Sequence, residues 1–95
     1  MIPKKLKVAG ITYKVKRSKK PLVLDCAECG GIISYKKCKI SIANKFNNQY
    51  MEENFCHEME HAVAHAANVE LSEDEVCRLS MIRYQVLKDN KINFK

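Results

Sequence analysis

The segment that most constrains the fold runs from position 48 to position 68 and contains neither proline nor glycine. Apolar residues within it recur three or four positions apart, the spacing that lines one face of an α-helix. Asn47 and Asn48 stand at its start, and asparagine is a favoured N-cap residue. The sequence therefore predicts an amphipathic helix over residues 48–68. Its apolar positions are Met51, Phe55, Met59, Ala62, Val63 and Ala66.

The predicted helix carries the pattern His-Glu-x-x-His at residues 57–61. Four residues are about one helical turn, so His57 and His61 project from the same side and can bind one metal ion. Glu58 is their neighbour, and its carboxylate can take a proton from a water molecule at that ion. The pattern is typical of a zinc (Zn²⁺) centre with His57 and His61 as ligands and Glu58 as general base. The alternative is a solvated helix with two surface histidines.

A catalytic zinc centre needs a third protein ligand, and the next predicted helix offers one. Ser72 is a suitable N-cap, and residues 73–88 contain neither glycine nor proline. Glu75 falls on the apolar stripe of this helix, whereas Glu73 and Asp74 point elsewhere. A carboxylate on a core-facing stripe is costly unless it is paired or binds a metal, so Glu75 is the predicted third ligand. The stripe consists of Val76, Leu79, Ile82, Val86 and Leu87.

Other assignments for the third ligand stay open. Residues 72–75 have the Ser-x-x-Glu form of a capping box, in which Glu75 bonds to the Ser72 amide without any metal. Glu70 is a second candidate ligand. His65 continues the series 57, 61, 65 but lies two turns, about 12 Å, from position 57, so we expect it on the surface or behind the ligands.

The first half of the chain alternates between apolar and polar residues, which is typical of β-strands. An Ala-Gly pair at 9–10 predicts a hairpin turn, residues 36–37 predict a second turn, and residues 17–21 read as a basic loop. Strands followed by helices predict one α+β domain over residues 1–95. We expect a small antiparallel sheet of three to four strands, packed on the motif helix, with an edge that can hold an extended peptide. The predicted strands are residues 6–8, 11–15, 32–35 and 39–42.

The net charge of +6 is divided unevenly: residues 1–45 carry 12 basic and 2 acidic residues, and residues 46–95 carry 5 and 9. Fourteen of the 17 basic residues are lysine, whereas arginine is the preferred reader of bases. We therefore expect solvated lysine-rich strands, some protecting sheet edges, rather than a nucleic-acid site. Neither a membrane-spanning run nor a secretory signal is recognisable, which favours the cytoplasm.

Five cysteines, an odd number, indicate reduced thiols. Cys26 and Cys29 form a C-x-x-C pair followed by glycine, which resembles half of a zinc knuckle, and Cys38 could add a third ligand. Because there is no second C-x-x-C pair, incidental thiols are the favoured interpretation. Cys56 and Cys77 fall within the predicted helices and are expected to be small packing residues.

These segments resemble the small zinc metallopeptidase-like proteins of phages and mobile elements, which are related to the ImmA/IrrE-type peptidases. The resemblance implies a minimal zincin-like domain with a gluzincin-type centre: His57 and His61 as ligands, Glu58 as base and Glu75 as the downstream glutamate ligand. Glu60 departs from the family, which usually has an apolar residue there. The matching stretches are residues 2–8, 10–15, 31–35, 55–62, 75–80 and 84–90.

The expected function is therefore that of a zinc-dependent hydrolase, in particular a metallopeptidase, acting on a protein or peptide such as a regulator of a mobile element. Tyr50 and Tyr84 are weak candidates for a side chain that assists the metal. The alternatives are an inactive zinc-binding relative that serves as a protein-interaction module, and a basic nucleic-acid-binding module.

Overall fold

A computed structural model describes residues 2–24, 27–45 and 47–90 of the chain. Over these residues, strands come first and helices follow, so the predicted α+β architecture is confirmed. The strands are β1 (Lys5–Val8), β2 (Ile11–Ser18), β3 (Leu22–Leu24), β4 (Ala27–Cys29), β5 (Gly31–Ser34) and β6 (Lys39–Ala43). The helices are α1 (Asn48–Ala67) and α2 (Glu73–Asp89).

The main sheet has four strands in the order β1-β2-β6-β5. The β1–β2 hairpin turns where predicted, at Ala9 and Gly10, which have φ angles of 50° and 84°; a two-residue turn of this kind needs positive φ at both positions. Strands β5 and β6 also pair antiparallel. Strands β2 and β6 pair parallel, so the sheet is mostly antiparallel, as predicted, with one parallel pairing that was not predicted. Apolar–polar alternation defines the two faces of a strand but not the direction of its partner.

A second, two-stranded sheet lies between β2 and β5 in the chain and was not predicted. It consists of β3 and β4, which pair antiparallel. The basic loop predicted over residues 17–21 is also partly wrong, because β2 extends to Ser18. Strands of three residues are too short to show an alternating pattern, which is why sequence analysis overlooked this hairpin.

Helix α1 packs on one face of the four-stranded sheet, as predicted. Alternate residues of β2 and β6 point to that face, and Ile40 and Ile42 are fully buried there. Asn47 is the N-cap of α1, since its side-chain oxygen accepts a hydrogen bond from the Tyr50 amide at 2.9 Å. Val63, expected on the buried face, is exposed. The core cluster consists of Ile2, Tyr13, Val15, Ile40, Ile42, Met51, Phe55 and Ala62.

Helix α2 packs on α1 through a different face from the predicted one. Val76 and Ser80 are its buried residues, whereas most of the predicted apolar stripe faces outward. The exposed members of the predicted stripe are Leu79, Ile82, Val86 and Leu87.

Polar contacts between the helices account for this orientation of α2. The Arg83 guanidinium donates to both carboxylate oxygens of Glu60, at 2.7 and 3.2 Å, and Glu60 is only 4% exposed. About two turns before Glu60 along α1, Glu52 accepts a hydrogen bond from the Tyr84 hydroxyl at 2.7 Å. A buried carboxylate without a partner is costly, so Glu60 requires Arg83 on the facing side of α2. Glu60 thus has a structural partner in Arg83.

Across the described ranges, neither helix has the length and apolar character needed to cross a membrane.

Candidate metal centre

The two motif histidines lie one turn apart on α1, as predicted. Their ring centroids are 4.9 Å apart and the rings meet edge to face. Both side chains are partly exposed. Each imidazole therefore presents its Nε2 atom to the space in front of the helix.

Glu73, the first residue of α2, occupies that space. Its Oε1 lies 2.5 Å from Nε2 of His57, and its Oε2 lies 3.2 Å from Nε2 of His61. The three groups offer ligand atoms that all lie within 4.8 Å of one another. Two imidazole nitrogens and a carboxylate form one of the donor sets found at catalytic zinc centres.

The prediction that Glu75 faces the core beside the histidines is wrong. The Glu75 carboxylate accepts a hydrogen bond from the Ser72 amide at 2.8 Å, and Ser72 Oγ accepts from the Glu75 amide at 3.1 Å. This is the capping box that the sequence left open as an alternative. The hydrogen bond from the Ser72 amide lowers the pKa of Glu75.

Helix geometry explains why Glu73, and not Glu75, lies beside the histidines. Two residues along a helix correspond to a rotation of about 200°, so the two side chains lie on nearly opposite sides. Because α2 turns Val76 and Ser80 toward α1 and the other four residues of the predicted apolar stripe toward solvent, position 73 falls beside the histidines. In the sequence, Glu73 is recognisable only as an acidic residue at the start of α2. Selecting it as the third ligand would have required knowing how α2 is rotated about its axis.

Glu58 lies on the inner side of the centre, against strand β5. It is 6% exposed, and burial, with a smaller contribution from the charge of Glu73, raises its pKa to about 7. A β-carbon at Gly31 would lie 3.0 Å from Oε2 of Glu58. The missing side chain at Gly31 therefore makes room for the carboxylate, a role that sequence analysis did not detect.

An open cleft of about 470 Å³ runs in front of the three candidate ligands. Residues 30–33, which include most of β5, form one wall, and α1 forms the other with Asn54, one turn before Glu58. Leu24 of β3 and Cys77 of α2 also line the cleft. It therefore brings a strand, the motif helix and the start of α2 to one place.

Cys77, predicted to be a small packing residue, is exposed and lies beside His57. It lies one turn after Glu73 on α2, and its Sγ is 3.7 Å from Nδ1 of His57. The two nitrogens of His57 thus face different groups: Nδ1 faces the thiol and Nε2 faces the carboxylate. A contact to the second ring nitrogen is how proteins commonly orient a metal-binding histidine.

The other nominated residues lie away from the centre. His65 is exposed and stacks on Tyr35, with 3.9 Å between ring centroids. Glu70 is exposed and does not belong to the cluster of candidate ligands. Tyr84 donates to Glu52, which raises the pKa of its hydroxyl to about 12.

Of the cysteines considered for a second metal, Cys26 lies outside the described residues. Cys29 lines the cleft and its thiol donates to the Leu22 carbonyl at 3.6 Å. The Cys38 thiol donates to the Tyr35 carbonyl at 3.5 Å. The interpretation of these cysteines as incidental thiols stays a prediction.

Comparisons of the chain with protein-family models, with curated proteins and with solved structures gave no match.

Proposed function

We propose that this protein is a zinc-dependent hydrolase, and in particular a peptidase, with His57, His61 and Glu73 as metal ligands and Glu58 as general base. The observation that carries the proposal is the convergence of Glu73 from α2 on the two motif histidines from α1. If the two histidines were only a chance pair on the surface, there would be no reason for a carboxylate of another helix to face both of their Nε2 atoms.

The donor set fits zinc. Two neutral imidazoles and one carboxylate are three ligands of the kinds that zinc prefers, and three protein ligands leave a coordination position open. When bound, the ion supplies a Lewis acid and lowers the pKa of water toward neutrality. Cys77 faces Nδ1 of His57, and a protonated Nδ1 leaves the Nε2 lone pair available to the ion.

Glu58 is the residue placed to move protons. It is adjacent to His57 in the chain, is shielded from bulk solvent and borders the cleft. In the proposed reaction its carboxylate accepts the proton of the attacking water and passes it to the leaving amine. Gly31 keeps the strand backbone close enough to hold this carboxylate without crowding it.

A peptide is the preferred substrate because of the strand beside the centre. β5 is the outermost strand of the sheet on that side, and its residues line the same cleft as the histidines. An extended peptide added along β5 would pass in front of them. The resemblance to ImmA/IrrE-type peptidases also favours a peptide over other substrates that contain an acyl group.

The test compares wild-type protein with Glu58→Gln. Both should bind about one zinc ion per chain, whereas hydrolysis of a mixture of unstructured peptides should fall at least 100-fold in the variant, since general-base catalysis contributes about 10²–10⁴ in rate. Glu53→Gln, an exposed substitution on the same helix, is the matched control and should keep full activity. Equal turnover in Glu58→Gln and wild type would remove Glu58 from the reaction.

An inactive zinc-binding module is the second candidate function. The outward apolar face of α2, with Ile82 61% exposed, favours it, because exposed apolar side chains that cluster often mark an interaction site. Zinc binding by wild-type protein without cleavage of any peptide would select this candidate. Failure to bind zinc would exclude both.

A further inference from the structure

The face of the sheet opposite α1 is rich in lysine. Along β2, Tyr13 and Val15 point to the core, so the alternating residues Lys14 and Lys16 point away from it and are exposed. Strand β1 repeats this pattern with two exposed lysines, and β6 begins with a half-buried lysine, Lys39, directly before the buried Ile40. We refer to these side chains as the lysine face: Lys5, Lys7, Lys14, Lys16 and Lys39.

The strand register brings three of these lysines into one row. Lys5 is paired with Lys14 across β1 and β2, and Lys14 is paired with Lys39 across β2 and β6. Paired residues of neighbouring strands point to the same face, and neighbouring strands lie about 4.8 Å apart. Three positive charges therefore stand side by side across three strands. The sequence showed only that lysines were numerous, since the row depends on the parallel pairing of β2 with β6.

This row is unfavourable for the isolated protein. Like charges directly opposite one another destabilise a sheet, and none of the acidic side chains whose positions the structure describes forms an ion pair with the lysine face. Protection of a sheet edge can explain lysines on β1, but β2 and β6 are the two central strands. A row of lysines on central strands calls for another explanation, and an anionic partner provides one.

We propose that the lysine face binds the phosphate backbone of double-stranded nucleic acid without sequence preference. Lysine is a point charge suited to phosphate, whereas base reading favours arginine. The hydroxyls of Thr12 and Ser41 share this face, since they are paired with Lys7 and Lys16, and can donate to phosphate oxygens. Its paired positions carry no aromatic side chain, so the stacking platform of single-strand binders is missing. Binding there leaves the cleft beside α1 open.

The test measures binding of a fluorescent 24-base-pair DNA duplex at several salt concentrations. Each phosphate neutralised contributes about −0.9 to the slope of log K against log salt, so the five lysines of the lysine face predict a slope of about −4.5. The double variant Lys14→Gln/Lys39→Gln should reduce that slope by about 2 and weaken binding at least tenfold at low salt. Removing neighbouring like charges should leave the variant at least as stable to urea as wild type, so weaker binding cannot come from unfolding.

The matched control is Lys19→Gln/Lys20→Gln, which removes the same charge from the bend after β2 and lies off the lysine face. It should bind the duplex within about threefold of wild type. Three outcomes would overturn the proposal: no duplex binding at low salt, equal weakening of binding by the control, or tighter binding of anionic lipid vesicles or an acidic polypeptide than of the duplex.

Discussion

Comparing alanine substitutions of Glu73 and Glu75, two residues apart on α2, gives the sharpest test of the candidate metal centre. Glu73→Ala removes the carboxylate that faces both histidines. Structural zinc sites with four ligands release about 10–16 kcal/mol on binding, or about 3 kcal/mol per ligand, so losing one should weaken zinc affinity at least about 100-fold. Because Glu73 is 69% exposed, the metal-free protein should lose little stability.

Glu75→Ala should show the opposite pattern. It breaks half of the capping box with Ser72, so the urea midpoint of the metal-free protein should fall while zinc affinity stays within about threefold of wild type. The pKa of Glu75 is lowered, so its contribution to stability is present at neutral pH and is lost as pH falls through that lowered value. The stabilities of Glu75→Ala and wild type should therefore converge in acid.

The assays are competition with a chromophoric zinc chelator at pH 7 and urea unfolding in the presence of EDTA. Four numbers result, one affinity and one midpoint for each variant. A larger loss of zinc affinity in Glu75→Ala than in Glu73→Ala would mean that α2 is rotated differently and would refute the assignment of Glu73.

Two further substitutions test the surroundings of the centre. Gly31→Ala introduces a β-carbon 3.0 Å from the Glu58 carboxylate. Because a shift of about 1 Å in a catalytic group can cost up to about 100-fold in rate, peptide hydrolysis should fall at least tenfold while zinc affinity is retained. Unchanged hydrolysis would show that the Glu58 carboxylate does not need the space left by Gly31. Tyr84 should ionise only at about pH 12, because its hydroxyl bonds to Glu52, so this contribution to stability is complete below pH 10 and lost as pH rises through 12. Tyr84→Phe should lower the free energy of unfolding by about 1 kcal/mol without changing zinc affinity, and a weakened zinc site would contradict its placement away from the cleft.

The features that were predictable from sequence are set by local chemistry. The helix bounds follow from their caps: Asn47 and Ser72 each accept a backbone hydrogen bond at the start of a helix, and a stretch without glycine or proline continues it. The spacing of His57 and His61 fixes their common side for the same reason. The Ala-Gly hairpin turn is similarly a property of two adjacent residues.

The unpredicted features depend on contacts between distant segments. The face that α2 presents to α1 carries Ser80, Arg83 paired with Glu60, and only one member of the apolar stripe, Val76. An argument from the whole stripe therefore selected Glu75 over Glu73. Periodicity counts apolar residues and gives no weight to a buried ion pair. The direction of β6 relative to β2 is also a long-range property, which no alternating pattern encodes.

Because the candidate centre takes ligands from two helices, it cannot exist before they close on each other. During synthesis the histidines of α1 are made before Glu73 and Arg83, and at roughly 5–20 residues per second the growing chain carries the motif for about one to four seconds before the helical hairpin can form. A nascent chain that displays the complete motif should therefore have no metal-dependent activity. Any later event that moves α2 away from α1 should remove Glu73 from the candidate centre, and with it metal binding, without altering a residue of the motif.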